Sequence, residues 1–191
     1  YRKSGTSYIL FPMAEVRRVA LVTGGAKRVG RAIVQALAEA HFDIAFTYLT
    51  SDAEAQSLAA VLASRLAKAL PIKVDLTQSE TAVAEVGQAF ARQFGRLDVL
   101  VNSASIFPPA KLAETDSALI DRVMNLHLKT PLLLCKHFAP MLRLSQGHVV
   151  NMVDLLAEKP WPAYMAYCAS KAALGNLTLS LARELAPQVT V

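Results

Sequence analysis

Tyr167-Cys-Ala-Ser-Lys171 sets a phenol and an ammonium group four residues apart, which is one face of a helix. A phenol with a pKa of about 10 exchanges protons poorly at neutrality until a nearby cation stabilises its anion. Lys171 has the charge for that task. The spacing alone decides little, because Tyr and Lys four apart also recur on solvated helix faces. Asp154 precedes Tyr167 by thirteen residues and would add a carboxyl able to pass a proton to a ring nitrogen. A second group of residues suits phosphate. In Thr23-Gly24-Gly25-Ala26-Lys27-Arg28-Val29-Gly30, Gly24 permits a tight turn and Gly30 lets a helix and a strand approach closely. A helix opening there offers unpaired N–H groups and the positive end of its dipole to a pyrophosphate.

Both groups acquire meaning from the elements that carry them. Arg18–Thr23 is a strand, and residues 28–40 place Val29, Ile33, Ala36 and Leu37 at helical spacing. Strand 43–48 follows, then an alanine-rich helix from Asp52, a plausible N-cap, to Ala69. Strand 71–74 ends at Asp75-Leu76. Helix 79–94 is expected to stop at Gly95 in a left-handed C′ position. Strand 97–101, a long helix over 116–143, strand 147–152 and helix 163–186 complete the alternation, and Val189–Val191 begins a sixth strand. Strict β/α alternation predicts a parallel, doubly wound Rossmann sheet in one domain, 13–191, cut short in strand six. Residues 1–12 read as an extraneous or disordered leader, with Met13 as the natural start.

With the glycine turn after strand one and Tyr167/Lys171 after strand five, the chain resembles the short-chain dehydrogenases/reductases over residues 18–191. The turn matches their T-G-x-x-x-G-x-G pattern with Arg28 in place of the middle glycine, and Tyr167–Lys171 matches Y-x-x-x-K. Ala-Lys-Arg-Val-Gly, Asp154 where most members carry Ser, and Ser105 in Asn102-Ser-Ala-Ser105 resemble the pteridine reductase branch. That resemblance implies roles for individual residues. Asn125 would bend the long helix and hold a relay water, unless it is merely a polar helix residue. Asn102 would support the sheet and the adenosine pocket beside Ala104 and Ser105. Asp75 and Leu76 would meet the adenine, although Asp75 also suits a turn. Phe107 would stack a flat substrate ring against the cofactor, and Tyr164 would touch the same substrate. Trp161 either lines that pocket or packs. Ser103 departs from the usual second Asn, and the His-Arg pair frequent in pteridine reductases is replaced by Leu49-Thr50.

An NAD site wants a carboxylate after strand two for the ribose 2′-OH. Here Tyr48 is followed by Leu49, Thr50 and Ser51. A 2′-phosphate meets no repulsion there and gains hydroxyl donors, with Lys27 and Arg28 close by, so NADP(H) is the expected cofactor. The expected reaction is hydride transfer from NADPH to a pterin held by Arg28, Ser105, Phe107, Asp154, Tyr164 and Tyr167. A carbonyl or 3-ketoacyl reductase of the same family, or a catalytically silent nucleotide binder, are the alternatives.

The net charge is +5, but the cations are scattered and form no basic stripe, so nucleic acid is not an expected partner. Cys135 and Cys168 lie far apart with no metal-ligand spacing, so neither a disulfide framework nor a metal site is expected. No apolar run is long enough to span a bilayer. A cytoplasmic protein is expected. Ala166, Ala169, Ala172, Ala173 and Leu177 imply close packing on the Tyr167 helix, which in the family builds a dimer interface, with tetramers usual.

Overall fold

The computed structural model describes residues 17–65 and 67–191, so the expected leader lies outside the described residues. Five strands, β1 (Val19–Val22), β2 (Asp43–Tyr48), β3 (Ala69–Lys73), β4 (Val99–Asn102) and β5 (His148–Asn151), form one parallel sheet in the order β3-β2-β1-β4-β5. This is the expected doubly wound Rossmann arrangement. Thr190 adds a parallel bridge to His148 at the outer edge of β5.

Strands β1, β2 and β4 are mostly apolar because both faces of the sheet are covered there, whereas β5 leaves Val150 43% exposed. Along β1, Val19 and Leu21 point into one core, while Ala20 and Val22 point into the other. The second core is closed by α1 (Arg28–Glu39) and α2 (Asp52–Ser64) through Val34, Ala38, Leu58 and Leu62. The first is closed by α3 (Ser79–Ala91), α5 (Thr130–Ser145) and α6 (Met165–Leu185), with Phe90 edge-on to Phe138 at 5.1 Å. Pro71 is tolerated in β3 because that strand is an edge of the sheet.

Several expected boundaries shift. The alanine-rich helix α2 stops at Ser64 rather than Ala69, because Ala69 pairs with Ile44 and opens β3. Sheet pairing overrides helical propensity there. Ser51, not Asp52, is the N-cap of α2, and the Asp52 carboxylate instead holds the Lys73 ammonium at 2.9 Å. Helix α3 ends at Ala91 with Arg92 as a right-handed C-cap, and Gly95 carries no positive φ, so it is not the expected left-handed stop.

The long helix is divided. Asp116 caps α4 (Ser117–Met124) by accepting a hydrogen bond from Leu119 N at 2.8 Å. A π turn over Asn125–Lys129 follows before α5 resumes at Thr130. A π turn inserts a residue and rotates the side chains beyond it, and such turns cluster at functional sites. Here the rotation carries Leu126 and His127 inward. Among the described residues no helix is long and apolar enough to cross a membrane.

Gly30 is the tightest point in the β1–α1 turn. A Cβ there would lie 2.2 Å from the Gly24 carbonyl oxygen. Gly30→Ala is therefore expected to destabilise the protein by about 1–3 kcal/mol, read as a lower Tm in a thermal melt.

Candidate active site

The C-terminal ends of β1, β4 and β5 meet where the strand order reverses, the place where open α/β sheets hold ligands. Thr23, at the end of β1, fixes two of these ends together. Its Oγ1 accepts hydrogen bonds from Ser103 N (2.9 Å) and Ala104 N (3.0 Å). Asn102 at the end of β4 donates through Nδ2 to Asn151 Oδ1 at 2.8 Å, and Asn151 donates to Thr178 Oγ1 of α6 at 2.9 Å. The chemistry-bearing loops are thus tied to one frame, with Asn102 buried as a support.

A cleft of about 680 Å³ opens at this edge. One end is walled by Gly24, Lys27, Arg28, Val29 and Gly30, the middle by Thr50, Ser51, Asp75 and Leu76, and the other end by Ala104, Ser105, Phe107, Tyr167 and Lys171. Those fourteen expected site residues are brought together. The glycine turn packs closely on the loop after β4: Gly24 has φ +67°, and a Cβ on it would stand 2.9 Å from Ala104 Cα. Lys27 and Arg28 are exposed beside it and form no ion pair among the described residues. Asp52, the nearest acid after β2, is taken up by Lys73 and does not wall the cleft. Asp75 folds back on its own loop, accepting from Thr77 N (2.9 Å) and Thr77 Oγ1 (2.8 Å) while still facing the cleft.

Arg28 occupies the left-handed region with φ +52°. An L side chain there is strained by roughly 1–2 kcal/mol, and the family glycine that it replaces would not be. The backbone of the turn therefore demands a glycine-like conformation even with the guanidinium in place.

At the reaction end, Tyr167 OH donates to Asp154 Oδ2 at 2.7 Å, and Asp154 Oδ1 accepts from Leu156 N at 2.9 Å. The Leu156 N–H and the Tyr167 hydroxyl hold the Asp154 carboxyl below its ordinary range, so it is ionised at neutrality. Burial, with the Asp154 charge added, pushes the Tyr167 phenol well above its ordinary pKa, and a hydrogen bond from Ser105 acts the other way. The expected acidification by Lys171 is therefore corrected. The Lys171 Nζ donates to the Met152 carbonyl at 2.6 Å and lies 5.8 Å from the Tyr167 ring centroid. In the site as it stands, burial and Asp154 outweigh it. Burial also lowers the pKa of Lys171 itself, with Asp154 opposing.

These shifts set a pH range. Asp154 carries its charge from below the ordinary carboxylate range upward, and Tyr167 keeps its proton to above the ordinary tyrosine range. A reaction needing both forms is expected to show a flat pH profile across neutrality. A kcat/KM profile with a limb near pH 7 would contradict it.

Phe107 faces the cleft with Tyr164 stacked behind it, centroids 4.0 Å apart and planes 7° off parallel. The Tyr167 ring meets Phe107 edge-on at 4.5 Å. Tyr164, expected to touch substrate, backs Phe107; neither it nor Asp154 is among the residues walling the cleft, to which Asp154 is joined through the Tyr167 hydroxyl, and the half-exposed Trp161 packs edge-on to Tyr164 at 6.4 Å. Asn125 heads the π turn that interrupts the long helix. Its carbonyl accepts from Ser79 Oγ at 3.4 Å, but its side chain forms no hydrogen bond to Tyr167 or Lys171 among the described residues. The residue that does approach them was not singled out by the sequence: His127, buried, edge-on to Tyr167 at 5.4 Å.

The family model described as short chain dehydrogenase matches residues 18–191. The chain belongs to this family. It is 30% identical over 172 residues to the 3-oxoacyl-[acyl-carrier-protein] reductase FabG of Staphylococcus epidermidis, covering 90% of this chain and 70% of that protein. Among solved structures, FolM alternative dihydrofolate reductase 1 from Brucella canis, complexed with NADP, matches with a TM-score of 0.83 and 38% identity over 91% of this chain and 70% of that one. A blue fluorescent protein from a metagenomic library, in complex with NADPH, matches with a TM-score of 0.86 and 34% identity over 91% and 71%. The chain is thus an oxidoreductase-family Rossmann protein, with Tyr167 and Lys171 at the family's Y-x-x-x-K positions.

Proposed function

We propose that this protein is an NADP(H)-dependent reductase of the pteridine reductase type, acting on a dihydropterin or dihydrofolate-like ring. The observation that carries the substrate class is the Asp154 carboxylate, ionised and accepting a hydrogen bond from the Tyr167 hydroxyl at 2.7 Å. Reduction of a ketone builds negative charge on oxygen, which a fixed carboxylate in contact with the proton donor opposes. A pterin presents ring N–H and amino donors, which the same carboxylate accepts. Phe107, its plane fixed from behind by Tyr164, offers one flat face to the cleft on which a heteroaromatic ring continues the stack.

NADPH, when bound, supplies the hydride. Gly24 and Gly30 leave room for its pyrophosphate, Lys27, Arg28, Thr50 and Ser51 hold the 2′-phosphate, and Asp75, Leu76 and Ala104 frame the adenosine. Lys171 holds the nicotinamide ribose, and Tyr167 gives the proton. Arg28→Gly is expected to leave stability within about 1 kcal/mol, because relief of the left-handed strain offsets the freedom a glycine adds to the unfolded chain. It is expected to cut the preference for NADPH over NADH by about tenfold or more, since a charge-assisted phosphate contact is lost. Fluorescence titration with both nucleotides measures it.

A second reading, a 3-ketoacyl reductase, is favoured by the likeness to FabG. A catalytically silent binder has against it the intact Tyr167 and Lys171 in one cleft. The proposal extends to a cytoplasmic homo-oligomer, dimer or tetramer. Leu179 of α6, 66% exposed, is a surface that a second copy would cover. NADPH absorbance loss with biopterin and with acetoacetyl-CoA separates the readings. Faster turnover of biopterin supports the pterin reductase, faster acetoacetyl-CoA the ketoacyl reductase, and binding without turnover of either the silent member.

A further inference from the structure

His127 is 1% exposed, lies on the π turn and touches the loop after β4 and helix α6 at once. Its hydrogen bonds fix its tautomer. Ile106 N is an obligate donor and reaches Nε2 at 3.2 Å, so Nε2 carries the lone pair. The neutral ring therefore has its hydrogen on Nδ1 and donates to Ser170 Oγ at 2.8 Å. Ser170 in turn donates to the Tyr167 carbonyl at 2.7 Å, so the chain ends on the backbone of the proton donor. Ser105 Oγ sits 3.1 Å from the same Nε2, lines the cleft with Tyr167, and acts on the phenol to hold its pKa down.

Charge on this imidazole is disfavoured. Burial, assisted by the Lys171 ammonium, pushes it down to about 3. Tyr167 and Lys171 are the titratable groups around it, and neither offers it a negative charge at neutrality. Nε2 has two candidate donors, the fixed Ile106 N–H and the rotatable Ser105 O–H. If the serine turns away, the ring remains satisfied. Such freedom costs nothing at His127 and leaves one hydroxyl beside the phenol available when it is needed.

We propose that His127, held as the neutral Nδ1–H tautomer, is the positioning residue of proton transfer: it docks Ser105 beside Tyr167, and the serine hydroxyl turns from Nε2 to the phenolate oxygen as the phenol gives up its proton. The substrate carbon gains the hydride that NADPH loses, and the adjacent substrate atom gains the proton that leaves the Tyr167 oxygen. The O–H of Ser105 stays intact throughout, and the phenolate takes its replacement proton from water. The Lys171 ammonium is engaged with the Met152 carbonyl, so the serine supplies the direct hydrogen bond that the lysine does not. This role rests on the family's reductase chemistry and is the same for a pterin or a ketone.

Three variants isolate it, assayed with whichever of biopterin or acetoacetyl-CoA the wild type reduces faster. His127→Gln keeps an acceptor near the Nε2 position, His127→Asn keeps only a donor near Nδ1, and Ser105→Ala removes the rotor. His127→Asn and Ser105→Ala are expected to lower kcat by about 10- to 100-fold, with NADPH affinity within about threefold and an increased solvent deuterium isotope effect on kcat. His127→Gln is expected to recover kcat to within about fivefold of wild type. Equal activity of the Gln and Asn variants, or losses of kcat and NADPH affinity in equal proportion with no change in isotope effect, would overturn the proposal. ¹⁵N spectra of the imidazole provide an arm independent of turnover. A neutral Nδ1–H ring that does not titrate between pH 5 and 8 is expected, whereas an Nε2–H or protonated ring overturns it.

Discussion

Tyr167→Phe is expected to lower turnover by about 10²- to 10⁴-fold, the usual worth of a positioned proton donor. The change is confined to chemistry because the ring itself stays anchored. Phe107 meets it edge-on at 4.5 Å and His127 at 5.4 Å, contacts that a phenylalanine retains. The hydroxyl donates a hydrogen bond to Asp154, which keeps the Leu156 N–H after the substitution. NADPH affinity should therefore remain within about threefold, as removal of a group used mainly in the transition state requires. The ratio of kcat to Kd for NADPH, measured by steady-state kinetics and fluorescence titration, checks both parts. Comparable losses in the two would show that the phenol serves binding and not proton transfer.

Asp154→Ser should alter what is reduced more than whether reduction occurs. It replaces a fixed charge with the neutral hydroxyl that most members of the family carry, and removes the largest opposition to an oxyanion beside Tyr167. Turnover of biopterin is expected to fall by about 100-fold, the scale of a lost charge-assisted hydrogen bond at a reacting group. Acetoacetyl-CoA turnover should be unchanged or rise. Ser103→Ala, two residues before Ser105, should have little effect on either, because its backbone N–H and not its hydroxyl is bound to Thr23. Equal and small losses of biopterin turnover in both variants would count against the pterin reading. The same substitution should lower the pKa of Tyr167 toward its ordinary value, since one of the groups raising it is gone.

Much of this was legible in the chain. Strand alternation and the glycine turn fix the sheet order at its centre, because βαβ crossovers have one hand. The Tyr167–Lys171 spacing survives any small error in where α6 begins. What escaped depends on contacts between elements distant in sequence. Ala69 is as good a helix former as its neighbours, and only its pairing with Ile44 makes it strand. Asp52 looks like a helix cap until Lys73 is brought across from β3. Phe107 and Tyr164 both suit a substrate pocket by type, but only the fold decides that one backs the other. His127 was hidden by the helix itself. The helical pattern through 116–143 does not show where a π turn falls, and His127 is buried on that turn. The direction of the Tyr167 shift was equally out of reach, because sequence shows the lysine nearby and not the burial that outweighs it.

The substrate preference, the reversal at Asp154→Ser and the loss at Tyr167→Phe all depend on one state: an ionised Asp154 receiving a proton-bearing Tyr167. ¹³C spectra of aspartate-labelled protein, with Asp154→Asn used to assign the signal, read that carboxyl directly across a pH titration. The expected result is a carboxylate at neutrality that takes up its proton only below the ordinary aspartate range, lifted toward that range in Tyr167→Phe. A neutral Asp154 at pH 7, titrating above the ordinary range, would contradict the account.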